Sequence, residues 1–372
     1  MRVVVALPAP PASQGGAADR CAIGLLDGVR THGVDVDAIA PDLGGASWPA
    51  EAAQLGVQRV PVHPPTGLRG RLGHLTRPLG DLSRTSLQRE VRELTSDADV
   101  LHLERSMTAW LDMGVQVPVV MSLHYRARLD RSVGMPWRAA GREELLFRAL
   151  ERRAILRYTW FVATSARVAE EIRSDRRRAN VTVVPLSLDP AAYPAVVRAD
   201  PDPVAGMIGT AAWPPTADAF RRLHKIWPAI RAGVPAARLR LAGRGLAARA
   251  ADAETGVEVL GEVSTTQEFL GGLRVLLYPV MRGSGMKVKV LEAIASGLPV
   301  ITTTAGAEGF DASDGIVVAD DERAFVAAAV DVLRDVDERR ARANAARLHF
   351  ESRYAPEPAT APLVELYERI CR

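Results

Sequence analysis

The chain has 372 residues, of which 48% are apolar and 24% charged, with a formal net charge of +3. That length exceeds one ordinary core and suits two domains of roughly 200 residues or fewer, and the composition excludes general disorder. No run approaches the roughly 18 apolar residues of a membrane span. The opening MRVVVALPAP carries a single arginine and too short an apolar run for a signal peptide. The two cysteines, Cys21 and Cys371, lack a C-x-x-C partner, and the seven histidines show no H-x-x-x-H spacing. The expectation is a soluble, cytoplasmic protein with free thiols, no metal site and no nucleic-acid partner.

Short β-rich runs alternate with helical patterns from end to end, which predicts parallel sheets covered by helices on both faces. In the first half the predicted strands are RVVVALP, VDVDAIA, DVLHLE, VPVVMSLH, FVATS and VTVVPLS, with helices at 17–31 and 137–157. Residues 188–206 then carry four prolines, which marks a linker near 190–203 and closes a first domain over 1–190. A fresh series follows: VAGMIGT, RLRLAG, VEVLGEV, RVLLYPV, LPVITT and GIVVAD, with helices at 217–230 and 286–296. This second domain is expected over 204–353, where 322–353 reads as two charged amphipathic helices. Residues 354–372 read as a terminal helix that crosses back to the first domain. Two tandem, Rossmann-like doubly wound α/β domains follow, and the lack of a fixed-period repeat excludes a solenoid.

Charge is uneven along the chain. Residues 1–197 hold 25 basic and 21 acidic side chains, a balance of +4, and 198–372 hold 22 and 23, a balance of −1. Arginines gather at Arg69, Arg71, Arg77, Arg84, Arg89 and Arg92, at Arg138, Arg142, Arg148, Arg152, Arg153 and Arg157, and at Arg176, Arg177 and Arg178. Such clusters serve either as solvated helix faces or as contacts to phosphates and anionic membrane surfaces.

The stretch MRGSGMKVKVLEAIASGLPV, residues 281–300, carries the chemistry. In open α/β sheets ligands bind beyond the carboxyl ends of strands. Here strand RVLLYPV ends at Val280, a glycine-rich turn follows, and a helix is predicted to begin near Met286 with Ser284 as its N-cap. Gly283 and Gly285 would let a phosphate approach amides at the positive end of the helix dipole. Lys287 puts a cation in the first turn, where helix electrostatics favour an anion, and an arriving diphosphate would resolve that conflict. An advance of 100° per residue sets Val288, Leu291, Glu292 and Ala295 in one arc, so Glu292 is predicted to be buried. A buried carboxylate costs several kcal/mol unless a protein group or a ligand meets it. Glu292 lies roughly 8–10 Å from the phosphate end, a reach that suits a ribose hydroxyl pair, and a buried arginine partner is the alternative.

The longer run GSGMKVKVLEAIASGLPVITTTAGAEGF resembles the signature of nucleotide-sugar-dependent glycosyltransferases of the GT-B fold, in particular the retaining group 1, family 4 class. DADVLHLE, VPVVMSLH, FVATSARVAEEI, VTVVPLSLDPAAYP and GMIGTAAWPPTADAFRRLHKIWPAI resemble further passages of that family, so the resemblance extends along most of the chain. It implies two tandem Rossmann-like domains with an interdomain cleft. The second domain would bind a UDP-, GDP- or dTDP-linked sugar, and the first a small-molecule, glycan or lipid-linked acceptor, with peripheral contact to an anionic membrane an open case. The implied donor site comprises Gly15, Gly16, Gly209, Thr210, Gly261, Glu262, Val263, Gly283, Ser284, Gly285, Met286, Lys287, Leu291 and Glu292. Catalytic roles fall to His124 and Lys287, and no cofactor beyond the donor substrate is implied.

Two departures stand out. The first acid of the family's glutamate pair would fall at position 284, where Ser284 stands, and the arginine–lysine pair after the first donor-domain strand is missing from GTAAWPPTADAF. Lys287 and Lys289 are the candidates to supply that charge. The transfer itself asks for stabilisation of a departing diphosphate more than for a protein acid. The resemblance implies front-face attack with retention of configuration, the β-phosphate assisting deprotonation of the acceptor. The alternatives are a non-catalytic binding protein on the same scaffold, which has little need of a buried Glu292, and a nucleotide-sugar epimerase, which would want acids that Ser284 does not supply.

Overall fold

A computed structural model describes residues 1–13, 15–44, 47–63, 82, 85–130, 139–194, 202–250, 252, 254–313 and 315–372. The chain divides into two compact units, Met1–Ser187 with Pro356–Arg372, and Leu188–Ala355. Each is built on one parallel sheet.

The first unit holds β1 (Arg2–Ala6), β2 (Asp35–Asp42), β3 (Gln58–Pro61), β4 (Val100–Leu103), β5 (Val119–Leu123), β6 (Trp160–Ala163) and β7 (Asn180–Val183), in the order β3-β2-β1-β4-β5-β6-β7. Side chains alternate across a strand, so the run RVVVA feeds two cores at once. Val4 and Ala6 join the cluster that includes Leu101, Met121 and Phe161, while Val3 and Val5 join Leu26, Val29, Val100 and Val162 on the other face. The second face is covered by the helix Ala17–Thr31 and by the C-terminal helix Pro356–Cys371, whose Leu363, Leu366 and Tyr367 are fully buried. Gly28 permits that approach, because a Cβ there would overlap the Pro356 carbonyl. β3 has no counterpart among the predicted strands. Its sequence, QRVP, buries only Val60 and shows no apolar alternation, as suits an edge strand.

The second unit holds β8 (Val204–Ile208), β9 (Arg238–Ala242), β10 (Val257–Gly261), β11 (Val275–Tyr278), β12 (Val300–Thr302) and β13 (Ile316–Val318), in the order β10-β9-β8-β11-β12-β13. Each lies within one of the six strands predicted for this half. The helices Pro214–Gly233, Thr266–Gly271, Val288–Ala295, Glu322–Arg334 and Val336–Arg353 complete the unit. In both sheets the strand order reverses once, between β1 and β4 and between β8 and β11. Those reversals open the crevices in which ligands of such sheets bind.

Several arginines of the clustered stretches pair with carboxylates of the protein. Arg148 pairs with Glu144 at 3.0 Å, Arg157 with Asp112 at 2.6 Å and Arg152 with Asp175 at 3.6 Å. Arg69, Arg71, Arg77, Arg84 and Arg138 lie outside the described residues. No helix among the described residues is long and apolar enough to cross a membrane.

Candidate functional site

At the carboxyl edge of the second sheet, β8 runs into Gly209 and Thr210, and β11 runs into the turn 279–287. Gly283 (φ 115°) and Gly285 (φ 72°) take left-handed backbone that side chains avoid, which keeps the chain out of the helix until Lys287. The helix is Val288–Ala295 with Lys287 as its N-cap residue, and this corrects the expected start near Met286 with Ser284 as cap. Ser284 is instead buried inside the turn. The Lys287 ammonium folds back to donate to the Gly285 carbonyl at 2.6 Å. Arg282 spans the strand-order reversal, its Nε 2.7 Å and its Nη2 2.6 Å from Asp218 Oδ2 in the helix that follows β8.

The predicted burial of Glu292 is met in full, since the side chain has 0% exposure. Its Oε1 accepts from the Tyr193 hydroxyl at 3.0 Å and its Oε2 from Lys289 Nζ at 2.9 Å. Lys289 lies one helical turn earlier and also reaches Thr266 Oγ1 at 3.3 Å. Arg347 donates to the Tyr193 carbonyl at 2.6 Å and to the Ala295 carbonyl, which fastens Tyr193 to the end of the same helix. The protein thus provides partners that a buried carboxylate requires, among them an ammonium and a phenol.

A second carboxylate meets the turn. Gly285 donates its N–H to Glu308 Oε1 at 2.7 Å. Glu308 follows β12, in a loop held by several hydrogen bonds. Thr302 Oγ1 donates to the Tyr278 carbonyl at 2.7 Å, Thr303 Oγ1 to the Val280 carbonyl, and Ala307 N–H to the Thr303 carbonyl at 2.9 Å.

The other donor candidates of this unit are spread along the same edge. Gly209 donates to the Ala242 carbonyl at 3.0 Å, Thr210 is exposed, and Gly261 accepts from Gly243 N–H at 2.7 Å. Glu262 is exposed and 3.5 Å from Arg244, Val263 is half-buried, and Met286 and Leu291 are buried.

Gly15, Gly16 and His124 belong to the first unit. Gly16 caps the helix Ala17–Thr31 and donates its N–H to Asp19 Oδ2 at 2.8 Å, while the Gly15 carbonyl accepts from Arg20 at 2.5 Å. His124 directly follows β5, and its Nε2 lies 2.5 Å from Glu104 Oε1. Glu104 directly follows β4 at the strand-order reversal, and its other oxygen lies 3.5 Å from His102 Nε2. His102 also contacts Ser122 Oγ at 2.6 Å and, through Nδ1, the hydroxyl of Tyr367 on the C-terminal helix. Burial works against the ionised form of Glu104, but His124 and His102 together outweigh it and hold the carboxyl well below its ordinary value. Burial, and then the Glu104 charge, push the Tyr367 phenol well above its ordinary value. A pocket of about 30 Å³ opens onto His102, Glu104, Ser122, His124 and Thr164.

Glu104, Tyr193 and Glu308 were not among the predicted site residues, and Lys289 was expected only as a source of positive charge. Glu104 and Glu308 carry a readable signal, a charge just beyond a strand at the carboxyl edge, whereas Tyr193 lies in the proline-rich stretch that reads as linker. Among the described residues, no group of three or more His, Cys, Asp or Glu side chains is arranged to hold a metal ion.

Residues 202–335 match the family described as Glycosyl transferases group 1, and residues 15–192 match Glycosyltransferase Family 4. No curated protein matches the chain. Among solved structures, HepE of Anabaena in complex with UDP and glucose matches at 14% identity with a TM-score of 0.66, over 99% of this chain and 100% of HepE. The pneumococcal O-GlcNAc transferase GtfA, in complex with UDP and GlcNAc, matches at 10% identity with a TM-score of 0.64, over 100% of this chain and 99% of GtfA. A structure of TarM matches at 11% identity with a TM-score of 0.59, over 76% of this chain and 57% of that one. At these identities the structural likeness speaks for the fold.

Proposed function

Since the chain belongs to the group 1 and family 4 glycosyltransferases of the GT-B fold, we propose that it transfers a hexose from a UDP-, GDP- or dTDP-linked donor to a hydroxyl or amine. The second unit takes the donor and the first takes a small-molecule, glycan or lipid-linked acceptor of cell-envelope or natural-product biosynthesis. The observation that carries this reading is the turn 283–287, which leads into the helix Val288–Ala295 beside the β8/β11 strand-order reversal.

The diphosphate lies against the amides of Ser284 to Lys287, at the start of the helix. The Lys287 ammonium leaves the Gly285 carbonyl to neutralise it, so fixed positive charge meets the oxygen on which charge grows as the glycosidic bond breaks. Glu292 accepts from the ribose hydroxyls once Tyr193 yields one of its oxygens. With the leaving phosphate on the face that the acceptor attacks, configuration is retained and the phosphate oxygen takes the acceptor proton. His124, held through Nε2 by Glu104, is the catalytic side chain assigned to the first unit. The scheme uses no cofactor beyond the donor. The cytoplasm is the proposed compartment, in keeping with two cysteines that form no disulfide.

The test is a thermal-shift panel of UDP, GDP, dTDP and their hexose conjugates. A ligand of the folded state raises the melting temperature by mass action, about 2.7 kcal/mol of added stability at a hundredfold excess over Kd. A flat response to every nucleotide would remove the donor site from the second unit.

A further inference from the structure

We propose that Tyr367, on the C-terminal helix, is a positioning residue for His124: its hydroxyl fixes the tautomer of His102, which reserves the charge of Glu104 for His124. The inference rests on the role given above to His124.

These side chains meet because successive residues of a strand point to opposite faces. Leu101 and Leu103 of β4 and Met121 and Leu123 of β5 join one core, while Val100 and Val120 join the other, together with Leu363, Leu366 and Tyr367 of the helix Pro356–Cys371. His102 and Glu104 continue the Val100 side of β4, and Ser122 and His124 continue the Val120 side of the neighbouring β5. Tyr367 therefore reaches His102 from the helix that covers this face, and both residues have 0% exposure. Their rings meet edge to face, with centroids 5.9 Å apart.

The direction of each hydrogen bond follows from what faces it. Glu104, its side chain 7% exposed, is held ionised, and a carboxylate only accepts. A lone pair on His102 Nε2 would face the Glu104 Oε2 charge across 3.5 Å, so Nε2 carries the proton. The ring lone pair then lies on Nδ1, and the Tyr367 hydroxyl donates to it. Burial and the Glu104 charge keep the phenol protonated and so able to donate. That donated hydrogen occupies the place a second ring proton would take, and His102 stays neutral. Of the two imidazoles, His124 accordingly acts on Glu104 first by charge and His102 first by its hydrogen bond. His124 Nε2, 2.5 Å from Glu104 Oε1, is fixed as the donor, which leaves Nδ1 for a substrate. The pocket of about 30 Å³ is lined by His102, Glu104, Ser122 and His124 but not by Tyr367, which acts from behind them.

The experiment is nitrogen NMR at neutral pH on full-length protein with isotope-labelled histidine: native, Tyr367→Phe and Ser122→Ala, the two rings being assigned through His102→Gln and His124→Gln. Native protein should show His102 with a protonated Nε2 and a bare Nδ1. In Tyr367→Phe the His102 Nδ1 signal should shift to that of a protonated nitrogen, and the His124 Nε2 signal should shift with it, because a charged His102 then shares Glu104. Ser122→Ala, which removes the other hydroxyl on the ring, should leave Nδ1 bare. A proton on Nδ1 in native protein overturns the proposal, and that spectrum decides alone if Tyr367→Phe does not fold. Identical His124 signals in native protein and folded Tyr367→Phe also overturn it. No nucleotide takes part, so failure here leaves the donor site standing and failure of the nucleotide panel leaves this result standing.

Discussion

Glu104 in the first unit and Glu292 in the second are both buried carboxylates near the carboxyl edge of a parallel sheet, and they are satisfied in opposite ways. Glu104 lies between two imidazoles, and a phenol bonded to one of them extends the chain. Glu292 is met by an ammonium and a phenol. The first arrangement is suited to moving or sharing a proton. The second holds a fixed negative charge, which is what recognition of a hydroxyl pair needs. The contrast teaches that burial of an acid marks a place to look, and that the identity of its partners tells what the acid can do there.

The largest effect that would sharpen this division concerns the charge beside the second acid. Lys287→Ala should lower the turnover of glycosyl transfer by about 100- to 1000-fold, the scale of one lost oxyanion-stabilising donor. Donor affinity should change much less. The opposite split, tight loss of binding with turnover kept, would make Lys287 a positioning group only.

Next comes the fixed acid itself. Glu292→Ala should weaken nucleotide binding by about 1.5–3 kcal/mol, as expected for a lost charge-assisted hydrogen bond. Calorimetry on a variant shown to be folded decides this. Native-like affinity would leave Glu292 as a structural partner of Lys289 and Tyr193, and the contrast with Glu104 would lose its functional half.

The smallest effect reports on the first acid. Its pKa is depressed in the folded protein, so the unfolded chain binds the proton more readily in acid. The stability that Glu104 contributes is therefore fully present above the ordinary carboxylate value of about 4.5 and is lost as pH falls toward the lower folded value. Melting curves between about pH 3 and pH 5 should fall less steeply for Glu104→Gln than for native protein. Parallel curves would show that the two histidines do not hold Glu104 ionised.

Much of this was legible in the chain. Twelve predicted strands coincide with twelve of the observed ones, the central ones because a strand buried on both faces is nearly continuously apolar, as VVVA in β1 and VLLY in β11 are. The exception, β3, is an edge strand and carries no such mark. Helix 17–31 was placed to the residue because its amphipathic stripe is long and uninterrupted. The start of helix Val288–Ala295 was misplaced by two residues, because glycines that permit a helix equally permit the left-handed turn that delays it.

The sequence by itself determined the two doubly wound units, the glycine turn followed by lysine, and the burial of Glu292. These are local consequences of side-chain periodicity and backbone freedom. Only the tertiary structure decided what meets each acid, because the partners are remote in the chain. Tyr193 reaches Glu292 across 99 residues and Tyr367 reaches His102 across 265. Glu308 arrives at Gly285 from the neighbouring strand's loop, 23 residues on. Parallel strands are joined by crossovers that carry sequence far away and return it alongside, so residues that share a sheet edge need share nothing in sequence spacing.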